Sequence, residues 1–123
     1  MSESSNAVHE EGLSPKVLDR HRAIVSLMEE LEAVDWYAQR AEAASDPELR
    51  AILEHNGDEE KEHAMMVLEW LRRNDSGFDE YMRIYLFSNG SITEAEGAEK
   101  GADGGSSALA SDGSLGIGSL KGK

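Results

Sequence analysis

The chain has 123 residues, and its 25 acidic against 12 basic side chains give a formal net charge of −13. So negative a field attracts cations and repels nucleic acid and anionic lipid, which excludes nucleic acid as an expected partner. Cysteine is absent, which excludes disulfides and thiolate metal sites, and no apolar stretch reaches the roughly 18 residues that a membrane span needs.

The first predicted helix follows a polar segment, residues 1–13, which we expect to be a flexible lead-in. This segment lacks the basic and apolar regions of a signal peptide, so a cytoplasmic protein is expected. Ser14 is a suitable N-cap and Pro15 a suitable first helical residue. Apolar residues then recur at helical spacing to about Ala44, and neither glycine nor proline interrupts them.

A short break separates this helix from a second one, predicted from Pro47 to about Asn74. Ser45 and Glu48 have the spacing of a capping box, while Asp46 before the proline could equally be the N-cap. Because so short a turn folds the second helix back along the first, the sequence predicts an antiparallel hairpin.

The remainder of the chain is predicted to contain a short helix, a glycine-rich linker and a terminal peptide. A short third helix is predicted over residues 78–88, and the helical domain as a whole over 14–88. Nine of the 12 glycines occur from residue 90 onward, which predicts a flexible linker over 89–113. Residues 114–123 carry three spaced branched side chains, Leu115, Ile117 and Leu120. A peptide that binds extended in apolar pockets uses alternate side chains in this way.

One stripe of the second helix is polar where an amphipathic helix should be apolar. Its steps alternate between four and three residues, so its members share one face: Leu49, Leu53, Asn56, Glu60, His63, Val67 and Trp70. A carboxylate and an imidazole one turn apart are costly to bury without a partner charge or a metal. Glu-x-x-His is also the pair with which helical bundles hold di-iron centres, together with glutamates from other helices. Glu30, near the inner face of the first helix, would supply such a glutamate.

Two long helices cannot enclose a buried site, but two copies of the hairpin form a four-helix bundle across a two-fold axis. Two copies of Glu30, Glu60 and His63 then provide four carboxylates and two imidazoles, a set that suits a pair of Fe(II) ions. Four clustered carboxylates repel one another when empty, so metal binding and assembly should be coupled. The predicted fold class is all-α: a two-helix hairpin with a short C-terminal helix that dimerises into this bundle.

Four further residues of the first helix follow or precede Glu30 closely in the sequence. Glu29 and Glu32 could form a solvent-facing carboxylate pair beside the site. Trp36 and Tyr37 are interpreted as packing residues, although Tyr37 lies two turns from Glu30 and its hydroxyl could hydrogen-bond a ligand carboxylate.

On the second helix, three further side chains receive structural interpretations. His55 lies one position away from the polar stripe and is interpreted as a surface residue. Met65 and Met66 are interpreted as filling the core.

With these residues identified, the chain resembles the encapsulated ferritin family, the two-helix ferritin-like cargo of bacterial encapsulin nanocompartments. The resemblance is most specific in the segments Arg20-His-Arg-Ala-Ile-Val-Ser, Met28-Glu-Glu-Leu-Glu-Ala-Val-Asp-Trp-Tyr37, Asp58-Glu-Glu-Lys-Glu-His-Ala64 and Leu68-Glu-Trp-Leu-Arg-Arg-Asn-Asp75. In addition, Ser114–Lys123 resembles the encapsulin-targeting peptide of this cargo.

The resemblance implies a ferritin-like ferroxidase centre at the interface of a hairpin homodimer, with two irons per interface and dimers arranged in a decameric ring. The implied site residues are the iron ligands Glu30, Glu60 and His63, the outer metal-attracting Glu29 and Glu32 beside Trp36, and the supporting Tyr37. It further implies that the protein lies in the encapsulin lumen, within the bacterial cytoplasm, and that the shell stores the mineral.

The predicted function is therefore the oxidation of Fe(II) to Fe(III) by O2, with the product delivered for storage inside an encapsulin. By analogy with other Glu-x-x-His centres, Glu60 is expected to bridge the irons, with Glu30 and His63 as terminal ligands. Two alternatives stay open. One is a non-catalytic acidic helical adaptor whose tail binds a partner, and the other is a bundle that binds Mn, Zn or Ca without redox chemistry.

Overall fold

The computed structural model describes residues 6–96, and in this part the protein is all-helical, with no strand. The helices are α1 (Pro15–Ala43), α2 (Pro47–Asn74) and α3 (Ser76–Tyr85). The predicted helical class is therefore confirmed. None of these helices is long and apolar enough to cross a membrane. The predicted peptide at residues 114–123, and most of the predicted linker, lie outside the described residues.

Side-chain caps begin both long helices. The hydroxyl of Ser14 accepts a hydrogen bond from the backbone N–H of Val17 at 3.2 Å, as the sequence predicts. At the start of α2 it is Asp46, and not Ser45, whose side chain caps the helix, accepting from the N–H of Leu49 at 3.0 Å. Each such cap typically contributes about 1 kcal/mol, so both helix starts are fixed by local chemistry.

The pairing of α1 with α2 is antiparallel. Near the start of α1, the guanidinium of Arg20 lies 3.3 Å from the carboxylate of Asp75, just after α2. Near the end of α1, Tyr37 lies against Gly57, where an added Cβ would come within 3.2 Å of the tyrosine Cβ. The missing side chain at Gly57 thus permits a close approach of the two helices, although a glycine inside a helix costs about 1 kcal/mol relative to alanine.

A hairpin of two helices has only a narrow core. The buried apolar side chains of the described chain are Ala41, Ala64 and Leu71. Met65 and Met66 are 54 % and 59 % exposed, so their interpretation as core residues is wrong for the single chain. They lie on α2 away from the seam with α1, and a second layer would be needed to bury them. The hairpin therefore leaves apolar surface that a partner could cover.

The third helix begins two residues earlier and ends three residues earlier than the sequence predicts. The carboxylate of Asp75 accepts hydrogen bonds from the N–H groups of Gly77 and Phe78, at 2.9 and 3.1 Å, and so caps the first turn. At the other end, Phe87 adopts a positive φ of 62°, which cannot continue a helix. The apolar pattern indicated the helix, but the side-chain cap of Asp75 and the backbone of Phe87 decided its bounds.

Paired charges fix the junction of α2 and α3, which we call the α2–α3 corner and define by Glu69, Arg72, Arg73 and Asp79. The guanidinium of Arg72 donates to both oxygens of Glu69, at 2.8 and 2.9 Å, and also to Asp79. Arg73 donates to Glu69 at 2.7 Å. Hydrogen bonds from Arg72 and Arg73 lower the pKa of Glu69 to about 2. Each carboxylate of the corner is therefore matched by a cation.

Candidate metal centre

Three side chains of α1 and α2 converge into what we call the acid–histidine cluster, defined by Glu30, Glu60 and His63. Each contributes one potential ligand atom, and these atoms all lie within 4.8 Å of one another. The Nδ1 atom of His63 is 3.3 Å from Oε1 of Glu60 and 3.7 Å from Oε1 of Glu30. The hairpin thus brings together the three residues that the sequence predicts as ligands.

Local and tertiary structure contribute separately to the cluster. Glu60 and His63 are one helical turn apart on α2, so α2 alone places them side by side. Glu30 reaches them from α1 because the antiparallel pairing brings the middle of one helix beside the middle of the other. The side chains of Glu30 and Glu60 are 26 % and 25 % exposed, and His63 is 44 % exposed. A cation from solvent can therefore reach all three.

The two carboxyl groups of the cluster perturb each other. The pKa of Glu30 is raised, first because its carboxyl group hydrogen-bonds to Glu60 and then because it is partly buried. The pKa of Glu60 is lowered, chiefly by the same hydrogen bond and further by its contact with His63. The two carboxyl groups therefore titrate as a pair and not as independent residues. Because a cation binds the charged form of both, metal binding and deprotonation are linked.

The donor set fits a transition metal. It combines carboxylate oxygens with one imidazole nitrogen, a combination suited to Fe(II) and also accepted by Mn(II) and Zn(II). One chain offers three such side chains, fewer than a paired-metal centre in a helical bundle requires. The cluster of one hairpin is thus half of the ligand set that the sequence predicts for a dimer.

The predicted outer residues differ in how exposed they are. Glu29 is exposed on α1, and its charge contributes to the raised pKa of Glu30. Glu32 is half-buried, and among the described residues neither it nor Glu29 belongs to the three-residue group. Trp36 is 45 % exposed, so its interpretation as a packing residue does not hold for the single chain, whereas Tyr37 packs against Gly57 of α2.

Arg40 lies near these aromatic rings, a contact that the sequence prediction did not include. The guanidinium carbon of Arg40 lies 5.5 Å from the ring centroid of Trp36 and equally 5.5 Å from that of Tyr37. Its spacing of four and three residues from the two rings could have indicated this contact, because residues so spaced are neighbours on a helix. By contrast, the surface interpretation of His55 is confirmed, since its side chain is 68 % exposed and pairs with Glu59 at 3.2 Å.

Comparison with known proteins identifies the family. A family model described as EncFtn-like matches residues 5–89, which span all three helices and the whole acid–histidine cluster. The chain belongs to the EncFtn-like family. A protein of Rhodospirillum rubrum named "Encapsulated ferritin-like protein" is 60 % identical to it over all of this chain and 94 % of its own length. The resemblance stated from the sequence is therefore confirmed.

Two further matches to this EncFtn-like chain are a solved structure and a relative that is named for its role. A protein of Nitrosomonas europaea with a solved crystal structure is 60 % identical and superposes with a TM-score of 0.65, covering 67 % of this chain and 90 % of its own. A Myxococcus xanthus protein is 40 % identical over 51 % of this chain and 40 % of its own length. That protein is named an encapsulin nanocompartment cargo protein.

Proposed function

We propose that this EncFtn-like chain is a ferroxidase, which oxidises Fe(II) to Fe(III) with O2 at a di-iron centre between two subunits. The observation that carries the proposal is the convergence of Glu30, Glu60 and His63 within 4.8 Å on a hairpin of this family. The carboxylate and imidazole donors match the preference of Fe(II). Iron is here the substrate, and each Fe(II) gives one electron to O2.

A dimer completes the ligand set. Two copies of the acid–histidine cluster would supply four carboxylates and two imidazoles to two irons. Trp70 shares the helical stripe of His63 and is 39 % exposed in the single chain. Dimerisation along this stripe would cover that apolar surface as it encloses the centre. Dimers are then proposed to assemble into a decameric ring.

Within this centre the three side chains have distinct roles. Glu60 would be the carboxylate shared by the two irons, and Glu30 and His63 would be the terminal ligands. Metal ions bind the charged form of carboxylates, so the raised pKa of Glu30 makes iron binding by this residue compete with protons. Tyr37 supports the centre two turns from Glu30. Glu29, Glu32 and Trp36 form an outer region, where the two carboxylates draw in cations through their charge.

The oxidised product is proposed to be stored inside an encapsulin shell, in the lumen of a bacterial nanocompartment. The Myxococcus xanthus relative carries the name of such a cargo protein. In this chain the proposed shell-binding segment is Ser114–Lys123, whose spaced aliphatic side chains suit binding in an extended conformation. Burying each of Leu115, Ile117 and Leu120 would contribute roughly 1.5–3 kcal/mol.

The decisive experiment loads the full-length protein with Fe(II) under anaerobic conditions and then admits air. Fe(III) absorbance in the near ultraviolet should develop faster than in a protein-free control. His55→Ala is a matched control, because it removes the other α2 histidine that pairs with a glutamate at the surface. Stoichiometric metal binding without faster oxidation would instead indicate a non-redox bundle, and no metal binding would indicate the adaptor.

Assembly provides a second test. If the empty cluster is self-repelling, Fe(II) should shift the protein from smaller species towards dimers and the larger ring. Mass measurements in solution, with and without Fe(II), report this shift directly. Identical mass distributions would contradict the proposed intersubunit site, whatever the oxidation assay shows.

A further inference from the structure

Arg40 makes the same contact with two neighbouring aromatic rings. Its guanidinium carbon lies 5.5 Å from the centroids of both Trp36 and Tyr37, within the range of cation–π attraction. All three residues belong to α1, and Arg40 follows the two rings by four and three positions, one turn along the helix. One cation therefore faces both rings at the end of α1 that follows Glu30.

Arg40 carries a delocalised positive charge on a planar guanidinium group, which stacks well on aromatic faces. Its attraction to a ring depends on the electrons of the π-system. If a ring lost one electron, the resulting radical cation would repel the guanidinium, and the attraction would be replaced by an unfavourable interaction. A ring beneath Arg40 is therefore harder to oxidise than the same ring without it.

We propose that Arg40 shields Trp36 and Tyr37 against one-electron oxidation. In the step that it opposes, the indole of Trp36 gives one electron to an oxidant, which is reduced by one electron. The indole radical cation then releases its N–H proton to water. The purpose of this shield rests on the proposed function, because iron and O2 chemistry in the same hairpin would generate oxidants. The shielding itself does not depend on iron.

Arg40 also has ordinary structural roles, which must be separated from the shield. It lies in the last turn of α1, where a cation is favourable to the helix dipole, and its backbone carbonyl accepts from the N–H of Ala44 at 2.9 Å. Any residue at this position supplies the carbonyl. Neither role changes how easily an aromatic ring loses an electron, so ring oxidation is the readout that distinguishes them.

The test oxidises metal-free, full-length protein with photogenerated tris(bipyridine)ruthenium(III), a one-electron acceptor. Peptide mass spectrometry then gives the ratio of oxidised Trp36 to oxidised Trp70. Trp70 is an internal reference, because it is 39 % exposed and lies on α2, whereas the two rings that Arg40 contacts lie on α1. Arg40→Gln should raise the ratio about two- to fivefold, the factor that corresponds to an exposed cation–π contact. Arg40→Lys, which keeps the charge, should give a smaller rise.

Arg22→Gln is the charge-matched control. Arg22 is an exposed α1 arginine that pairs with Asp19, and its loss changes the net charge by the same amount. That variant should leave the ratio unchanged, and circular dichroism should show that all three variants keep their helices. An unchanged ratio in Arg40→Gln, or an equal rise in Arg22→Gln, would overturn the shield. Because no iron is present, this result is independent of the ferroxidase assay.

Discussion

The acid–histidine cluster and the α2–α3 corner contain the same kind of side chain in opposite electrostatic settings. At the corner, Arg72 and Arg73 hold Glu69, and the pKa of that carboxyl falls to about 2. In the cluster, Glu30 and Glu60 face each other, and the pKa of Glu30 is raised. The corner carries its own cations and is complete. The cluster has an excess of negative charge that a metal ion would neutralise, so geometry and charge together distinguish a binding site from a structural contact.

Substituting the proposed ligands of the cluster tests most strongly whether it is a metal-binding site. Glu60→Ala or His63→Ala should reduce Fe(II) oxidation by at least about 100-fold, since even outer-shell partners of metal sites typically account for 10–100-fold. The helices should remain, because both side chains are partly exposed and neither belongs to the buried core. Stopped-flow absorbance measures the rate and circular dichroism the fold. A double variant that oxidised iron at the parental rate would remove these residues from the site.

Deleting Ser114–Lys123 tests whether iron oxidation at the cluster depends on residues outside the three helices. We expect purified protein to oxidise iron at nearly the parental rate, because the proposed ligands all lie on α1 and α2. Co-purification with a co-expressed encapsulin shell should be lost. Fusing the same ten residues to an unrelated protein tests sufficiency. The targeting proposal fails if the truncated chain still enters the shell while the fusion stays outside.

Removing a cation from the α2–α3 corner should lower the stability of the fold and leave iron oxidation nearly unchanged. Arg72→Ala leaves Glu69 and Asp79 without their shared cation and should lower the free energy of unfolding by about 1–2 kcal/mol, since these side chains are partly exposed. The oxidation rate per folded chain should change little. Urea unfolding followed by circular dichroism measures the loss. If Arg72→Ala abolished iron oxidation while the helices remained, the two regions would not be separable.

The corner should also respond to acid. The folded pKa of Glu69, about 2, lies below its ordinary value of 4.5, so its contribution to stability is complete above about pH 4.5 and is lost as the pH falls towards 2. Arg72→Ala should remove part of this dependence. This is checked by measuring the thermal unfolding temperature of parent and variant between pH 6 and pH 2. If the unfolding temperatures of the two proteins fell in parallel over that interval, the pairing with Arg72 would not set the pKa of Glu69.

The smallest effect is expected outside the cluster. Glu29→Gln or Glu32→Gln should change the initial rate of iron oxidation only a few-fold, and the change should shrink as salt rises, because steering by charge is screened over about 10 Å at 0.1 M salt. Initial rates at low and high ionic strength measure this. Loss of stoichiometric iron binding in either variant would mean that the inner and outer carboxylates have been assigned the wrong way round.

The two long helices, and the pair of site residues that lie on one of them, could be predicted from the amino-acid sequence alone. Periodicity and the proline starts predicted α1 and α2, and the spacing of Glu60 and His63 placed both on one face. These features depend on contacts within one or two turns. For the same reason the sequence identified Glu-x-x-His without any knowledge of how the helices pair.

Which carboxylate of α1 reaches that pair depends on how the two helices pack. Glu29, Glu30 and Glu32 lie within four consecutive positions, but among the described residues the antiparallel pairing brings only Glu30 into the cluster. The same long-range pairing decided which apolar side chains are buried, and it left Met65 exposed against expectation. The physical reason is that helical spacing fixes a side chain's direction from its own axis, whereas what lies in that direction depends on the rotation and separation of two helices.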